Sequence, residues 1–451
     1  MSHQTLNPRM TAKVGAVMAL WAILLFSLHW FLLARGAPQF ILRAQTAAAV
    51  VVAVMLGVEL LSRGRLENLW PVTLYTVFMI VYATQSYNVI EAAPYSKGAQ
   101  LFLLMAVGTL TLVRHPSHIR TIVLMVLLYR FAWYGPIGLM FGGVRFHSTL
   151  ANPDRFGALM AMGVVAAASV GMAAKEPWLR KLGWTVSLLS AAGLVSSFAR
   201  GAFLVGGLAV AFLWFRLDGR RVALSVLIVM AAGIVFVAGT IFTGEGRGRS
   251  VTTNWFDELT SVTETIEDTD AEDRRLVWRI GWQVFKDHPL LGVGHGSWSV
   301  YASEHYSGPI MGERFGRRPD MLWGRAMHNI YLESLAERGL VGFMLFMALL
   351  LDFWRRTHAI RRGSSASDTS VLPGLRTRMI ATGFEAAMLA FLGAGVLYNV
   401  LDETFWGLII ANALFHRAWL RQQRRAPSQG RRHPIRSVHA LRTAAARVPR
   451  G

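Results

Sequence analysis

The sequence predicts an all-α integral membrane protein of about 12 transmembrane helices with a large helical loop on the external face. Three observations predict it. First, hydrophobic residues make up 53% of the 451 and charged residues only 16%, against about 25% charged in an ordinary soluble chain. Second, the mean hydropathy is +0.39, and the apolar residues fall in blocks close to the roughly 20 residues a bilayer-crossing helix needs. Third, Lys and Arg gather on alternate sides of those blocks, as the positive-inside rule requires. A soluble enzyme, a coiled coil and a disordered chain are excluded as the main description.

The blocks lie near 14–34, 41–61, 70–90, 98–113, 119–141, 156–174, 182–198, 201–215, 222–242, 340–354, 380–398 and 404–420. The first is too long for a signal-peptide core and lacks a convincing cleavage site, so it is kept as a span. Between the seventh and eighth only Ala199 and Arg200 intervene, which requires a tight turn or a re-entrant break. With a cytoplasmic N-terminus, the predicted cytoplasmic segments hold more than half of the 46 Lys and Arg residues. The short external loops carry few: Arg35, Lys97, then Arg145 and Arg155. An even number of spans keeps this alternation.

Four segments follow: spans 1–9 over residues 1–242, an external loop over 243–338, spans 10–12 over 339–420, and a cytoplasmic tail over 421–451. The tail holds Arg424, Arg425, Arg431 and Arg432. It reads as a disordered segment facing anionic lipid, not as a nucleic-acid-binding arm. The net charge of +20 therefore reports topology. Cysteine is absent, so disulfides, thiolate nucleophiles and cysteine metal sites are excluded.

The loop at 243–338 breaks the charge pattern, with 15 Asp and Glu against 11 Lys and Arg. Long loops translocate regardless of charge, and function concentrates in them. An acidic run from Glu264 to Asp273 leads into RRLVWRIGWQVFKDHPLLGVGHGSW at 274–298. Leu276, Ile280 and Val284 recur at helical spacing, and Pro289 and Gly292 end the helix. Arg275 and Arg279 share one face of it; Arg274, Trp278 and Trp282 share another. Spacing alone favours a surface helix with solvated arginines. A second helix is written in MHNIYLESLAERGLVG at 327–342, with His328 at its start and Gly339 as a C-cap before the tenth span.

Two further clusters lie outside the loop. In GLVSSFARGAF at 193–203, Arg200 sits where two spans meet. A bare cation costs on the order of 2.5–3.5 kcal/mol at the membrane centre, so Arg200 needs a carboxylate, carbonyls or an anionic ligand. In VRFHSTLANPDRFGALM at 144–160, Asn152, Pro153 and Asp154 signal a turn beside Arg145, His147 and Arg155. Arg130 lies inside the fifth span, where an internal salt bridge or a site role both account for it.

In combination these motifs resemble the bacterial O-antigen ligase and O-antigen polymerase superfamily. The matching pieces are the NP turn at 152–154 and the S-x-x-RG segment ending at Arg200 and Gly201. Within the large late loop, R-x-x-x-W at 274–278 runs into DHPLLGVGHGSW at 287–298, and HNIYLESLAERGLVG at 328–342 closes it. The resemblance covers roughly residues 140–415. It implies a C-type (GT-C) glycosyltransferase of the bacterial inner membrane, with its active site facing the periplasm and both termini cytoplasmic. The implied donor is a glycan on undecaprenyl pyrophosphate, and the implied acceptor a sugar hydroxyl of the lipid A-core oligosaccharide. Neither a nucleotide sugar nor a metal is implied.

Carried over residue by residue, Arg200 and Arg274 match the family's arginines for the pyrophosphate. His328 matches its histidine, a general base for the acceptor hydroxyl in an inverting displacement. The chemistry suits those residue types. A guanidinium fork pairs two phosphate oxygens, and a neutral imidazole takes a proton near pH 7, worth about 10²–10⁴ in rate. Arg275, Arg279, Arg145, Arg155, Arg130 and Asn329 form a weaker set of substrate-binding candidates. Asp268, Asp270 and Asp273 are spaced like hard-cation ligands but lack the glycine turn and distal glutamate of a calcium loop. The competing readings are a polymerase, a protein O-oligosaccharyltransferase and, in a different class, a transporter of the lipid-linked glycan. No repeat with paired broken helices supports the last.

Overall fold

The computed structural model describes residues 13–23, 39–63, 70–129, 131–132, 153–197, 199–216, 269–306, 327–364, 370–398 and 403–425. Those residues are helical with short connections; two isolated β-bridges, Ala174 with Leu375 and Leu372 with Leu375, are their only extended pairings. The helices are α1 (Lys13–Ile23), α2 (Gln39–Arg63), α3 (Trp70–Ala83), α4 (Val89–Leu112) and α5 (Pro116–Leu124), which runs into a π turn at Met125–Tyr129. Then come α6 (Pro153–Ala173), α7 (Pro177–Ser196), α8 (Arg200–Arg216), α9 (Thr269–Asp287) and α10 (Trp298–Tyr306). Last are α11 (Ile330–Gly363), α12 (Thr377–Gly395) and α13 (Glu403–Arg425).

The centre of the bundle is α6, packed against α7, α8 and α12. Its small residues permit this, because helices without large side chains approach closely in a lipid environment. A methyl on Gly183 would lie 2.5 Å from the backbone N of Gly171, so α6 and α7 meet backbone to backbone. Gly383 of α12 likewise faces Ser169 of α6. The result is an apolar core running from Leu20 through Phe156, Phe384 and Phe391 to Phe415.

Two described helices are long and apolar enough to cross a membrane, residues Arg155–Ala173 of α6 and all of α11. Shorter apolar helices cover parts of the first, second, third, fourth, fifth and eighth expected spans. The ninth, at 222–242, lies outside the described residues. Val54 and Leu61 of α2, Val81 of α3, Leu204 and Leu208 of α8, and Met344 and Leu351 of α11 are exposed. Such apolar stripes on otherwise packed helices suit a lipid-facing surface.

Gly339, at φ 60, splits α11 into two arms, 330–338 and 340–363. A sequence expectation is refined here: Gly339 does bend the chain, but helix resumes at once on its far side. A second, smaller core forms where the first arm meets α9 and α10, from Val277, Ile280, Val284, Val293, Trp298, Ala302, Met327 and Ala336. The helix expected from the RRLVW stretch begins earlier, at Thr269, because Asp270, Glu272 and Asp273 occupy its first turns, where carboxylates favour a helix.

Candidate active site

The two helix faces read from the sequence separate in the structure. Arg275 and Arg279 are exposed, whereas Arg274 and Trp278 are half-buried and Trp282 is 49% exposed. Trp278 turns inward, and its Nε1 donates to the carbonyl of Met327 at 3.0 Å. Met327 is wholly buried, with its side chain against Gly281. The chain is thereby pinned one residue before His328.

On the other side of His328, the Oδ1 of Asn329 accepts from the N–H groups of Tyr331 and Leu332, both at 3.0 Å. Asn329 is thus the N-cap of α11. Pinned on both sides, His328 adopts φ 55, and it is the one non-glycine residue at positive φ among the described residues. That conformation costs an L-residue roughly 1–2 kcal/mol. Strain of this kind persists only where neighbours overdetermine it, and it clusters at functional sites.

The first arm of α11 docks on the C-terminal end of α12. Tyr331 donates its hydroxyl to the carbonyl of Leu392 at 2.8 Å, and Ile330 fills the space above Gly395. The same helix end reaches the two arginine-bearing segments. Tyr398, 2% exposed, lies just beyond α12, and the Arg274 guanidinium carbon sits 5.9 Å from its ring centroid. A methyl on Gly201 would stand 2.5 Å from both the Tyr398 hydroxyl and Leu397 Cδ1. Gly201 follows Arg200, the first residue of α8. Ser197 shapes that turn, accepting from Ala199 N–H at 3.2 Å and donating to Leu194 O. Gly157, near the start of α6, lies against Ser197, Ala199 and Ala202.

The segments bearing His328, Arg274 and Arg200 therefore meet around residues 392–398. Helices α8 and α11 begin there, and helix N-termini carry partial positive charge suited to an anion. Of the weaker candidates, Arg155 is exposed at the start of α6, and Arg275 and Arg279 point to solvent. Asn329 carries a structural hydrogen-bonding duty as a cap. Arg130 and Arg145 lie outside the described residues, as does the side chain of Arg200. Among the described residues no group of three or more His, Cys, Asp or Glu side chains is placed to hold a metal ion.

Residues 185–347 match the family model described as O-Antigen ligase. This chain carries a domain of the O-antigen ligase/polymerase superfamily. No curated protein matches the chain. The superfamily domain spans the end of α7, all of α8 to α10 and the first half of α11. It thus includes Arg200, Arg274 and His328, whereas Tyr398 and the end of α12 on which they converge lie beyond it. The family is membrane-embedded and belongs to lipopolysaccharide-type glycan assembly.

Beside the superfamily domain's His328 lies a cluster that the sequence reading passed over. The 292–296 loop has glycines at φ 74, 106 and 73 and threads between the first arm of α11 and the turn joining α3 to α4. Val293 and Gly294 donate to the carbonyls of Ala336 and Glu337, and Tyr87 N–H donates to Val293 O at 2.8 Å. Side chains of L-residues do not fit there: a methyl on Gly294 would overlap Ser86. The loop carries His295, whose Nδ1 lies 2.9 Å from Glu337 and 2.8 Å from the Arg338 guanidinium.

Burial and, secondarily, the Arg338 charge hold His295 well below the usual histidine range, which favours the neutral ring. An imidazole nitrogen facing a guanidinium must present its lone pair, which agrees with that protonation state. Burial lifts the Glu337 carboxyl above the usual range, opposed by Arg338 and by the N–H groups of Gly296 and Trp298. Both residues precede the 340–354 stretch read as membrane-crossing. The alternating glycines of GVGHG at 292–296, set around one histidine, are the signal by which the sequence marks this cluster.

Proposed function

We propose that this protein is an O-antigen ligase, moving a glycan from undecaprenyl pyrophosphate to a sugar hydroxyl of lipid A-core oligosaccharide. The observation that carries the proposal is the convergence of the His328, Arg274 and Arg200 segments on one helix end, although they are far apart in sequence. A transfer of this kind needs a proton acceptor and fixed cations within one site. In our reading His328 removes the acceptor proton as the hydroxyl attacks the anomeric carbon. The bond to the pyrophosphate oxygen breaks, and Arg200 and Arg274 stabilise the charge that develops on it. One displacement inverts the anomeric centre. The rigid backbone around His328 supports the role, because orientation is a large share of such catalysis.

The same proposal places about twelve spans in the inner membrane, the 243–338 loop in the periplasm and both termini in the cytoplasm. No metal or nucleotide sugar takes part. Purified protein, undecaprenyl-pyrophosphate glycan and lipid A-core in EDTA provide the test, with His328→Ala alongside. Glycan on lipid A-core that is lost in the variant is expected. Longer glycans remaining on undecaprenyl pyrophosphate identify a polymerase instead. An unconsumed donor refutes both.

A further inference from the structure

We propose that Tyr398 is a positioning residue for the pyrophosphate site, setting the distance between Arg274 and the start of α8 through a single buried side chain. The inference rests on the transfer reaction proposed above and names a residue outside the matched domain.

Three observations meet on Tyr398. It is 2% exposed although it stands just beyond the end of α12, so its conformation is set by packing. Its ring supports the Arg274 guanidinium carbon at 5.9 Å from the centroid, at the outer limit of a cation–π contact. Its hydroxyl occupies the space in which a Cβ of residue 201 would stand, 2.5 Å from that position. The ring and hydroxyl therefore touch the two arginine-bearing segments from one rigid side chain with two rotatable bonds. Glycine at 201 is what admits the hydroxyl.

An aromatic ring suits this task better than a carboxylate. An aspartate or glutamate would cancel a charge that the leaving group requires. A ring face attracts the guanidinium through its quadrupole and adds no negative charge of its own. The same docking face of α12 receives Tyr331 at Leu392 and Ile330 at Gly395, so the arm that follows His328 is referenced to the same frame.

The test uses full-length protein with Tyr398→Leu and Tyr398→Phe, each made alone and with Arg274→Ala. Binding of undecaprenyl pyrophosphate without glycan is measured directly, beside transfer kinetics and thermal melting. Tyr398→Leu is expected to weaken undecaprenyl pyrophosphate binding and raise donor KM by about 5- to 10-fold. Acceptor KM should stay near the parent value, and Tyr398→Leu, which removes a buried ring, should melt below Tyr398→Phe. Tyr398→Phe, which keeps the ring, should recover most of the affinity. In the Arg274→Ala background Tyr398→Leu should add a smaller loss than in the parent, the part that remains coming from the contact at Gly201. An unchanged Kd in Tyr398→Leu overturns the inference, as does an equal loss with Arg274 already removed. Weakened binding by Tyr398→Leu in a parent protein that transfers no glycan refutes the reaction and leaves the positioning role standing.

Discussion

Gly339→Ala probes the joint on which the His328 arm turns. Gly339 has φ 60, and a methyl there would stand 2.5 Å from Leu291 N and closer still to the Leu290 carbonyl. These are backbone atoms, so no side chain can swing away. Alanine in that conformation costs about 1–2 kcal/mol. Relief of the overlap requires the 289–291 strap to withdraw from α11. Withdrawal breaks two hydrogen bonds, Leu340 N–H to Pro289 O at 2.8 Å and Val341 N–H to Leu290 O at 3.1 Å. Each is worth about 1 kcal/mol net, which brings the total to about 3–4 kcal/mol. Gly207→Ala is the control: nothing lies within 4 Å of its added methyl, and it sits inside α8. Alanine there is expected to be neutral or to stabilise by up to about 1 kcal/mol. Thermal melting in detergent, followed by tryptophan fluorescence, should show Gly339→Ala falling by roughly 5 °C or more while Gly207→Ala does not fall. Equal melting temperatures for Gly339→Ala and parent would refute the packing argument.

Other consequences follow from the same geometry. His328→Gly and His328→Ala should both abolish transfer, but the glycine variant should melt higher. It removes left-handed strain of about 1–2 kcal/mol against about 0.5–1 kcal/mol of added chain entropy; glycine melting at or below alanine contradicts the strain. Trp278→Phe removes the 3.0 Å bond to Met327 O. It should cost about 1 kcal/mol of stability and lower kcat several-fold with acceptor KM little changed; unaltered kcat shows that the bond does not position His328. His295, faced by Glu337 and Arg338, is depressed below the usual 6.5 in the folded protein. Its contribution is present above that unfolded value and lost as pH falls through and below it. The melting advantage of the parent over His295→Gln should therefore shrink between about pH 7.5 and about pH 5; a constant gap shows that His295 takes up its proton while folded.

Much of this protein was legible from residue order alone. Composition and the apolar blocks pointed to a helical protein, and the described residues are helical, because hydropathy is a local property of the chain. The helices around Arg274 and after His328 were readable too, since their periodicity and the Asn329 and Gly339 punctuation are local signals. So were the motifs at Arg200, Arg274 and His328, which lie inside the matched region 185–347. Local signals do not specify which elements meet. Only the tertiary structure brought Tyr398 under Arg274 and against Gly201, because that contact joins residues more than a hundred positions apart and has no period to betray it. Only the structure decided which of the two helix faces turns in, leaving Arg274 half-buried and Arg275 and Arg279 exposed. The left-handed backbone at His328 is likewise decided from outside the residue, since the Trp278 bond on one side and the Asn329 cap on the other outweigh an intrinsic preference that points the other way.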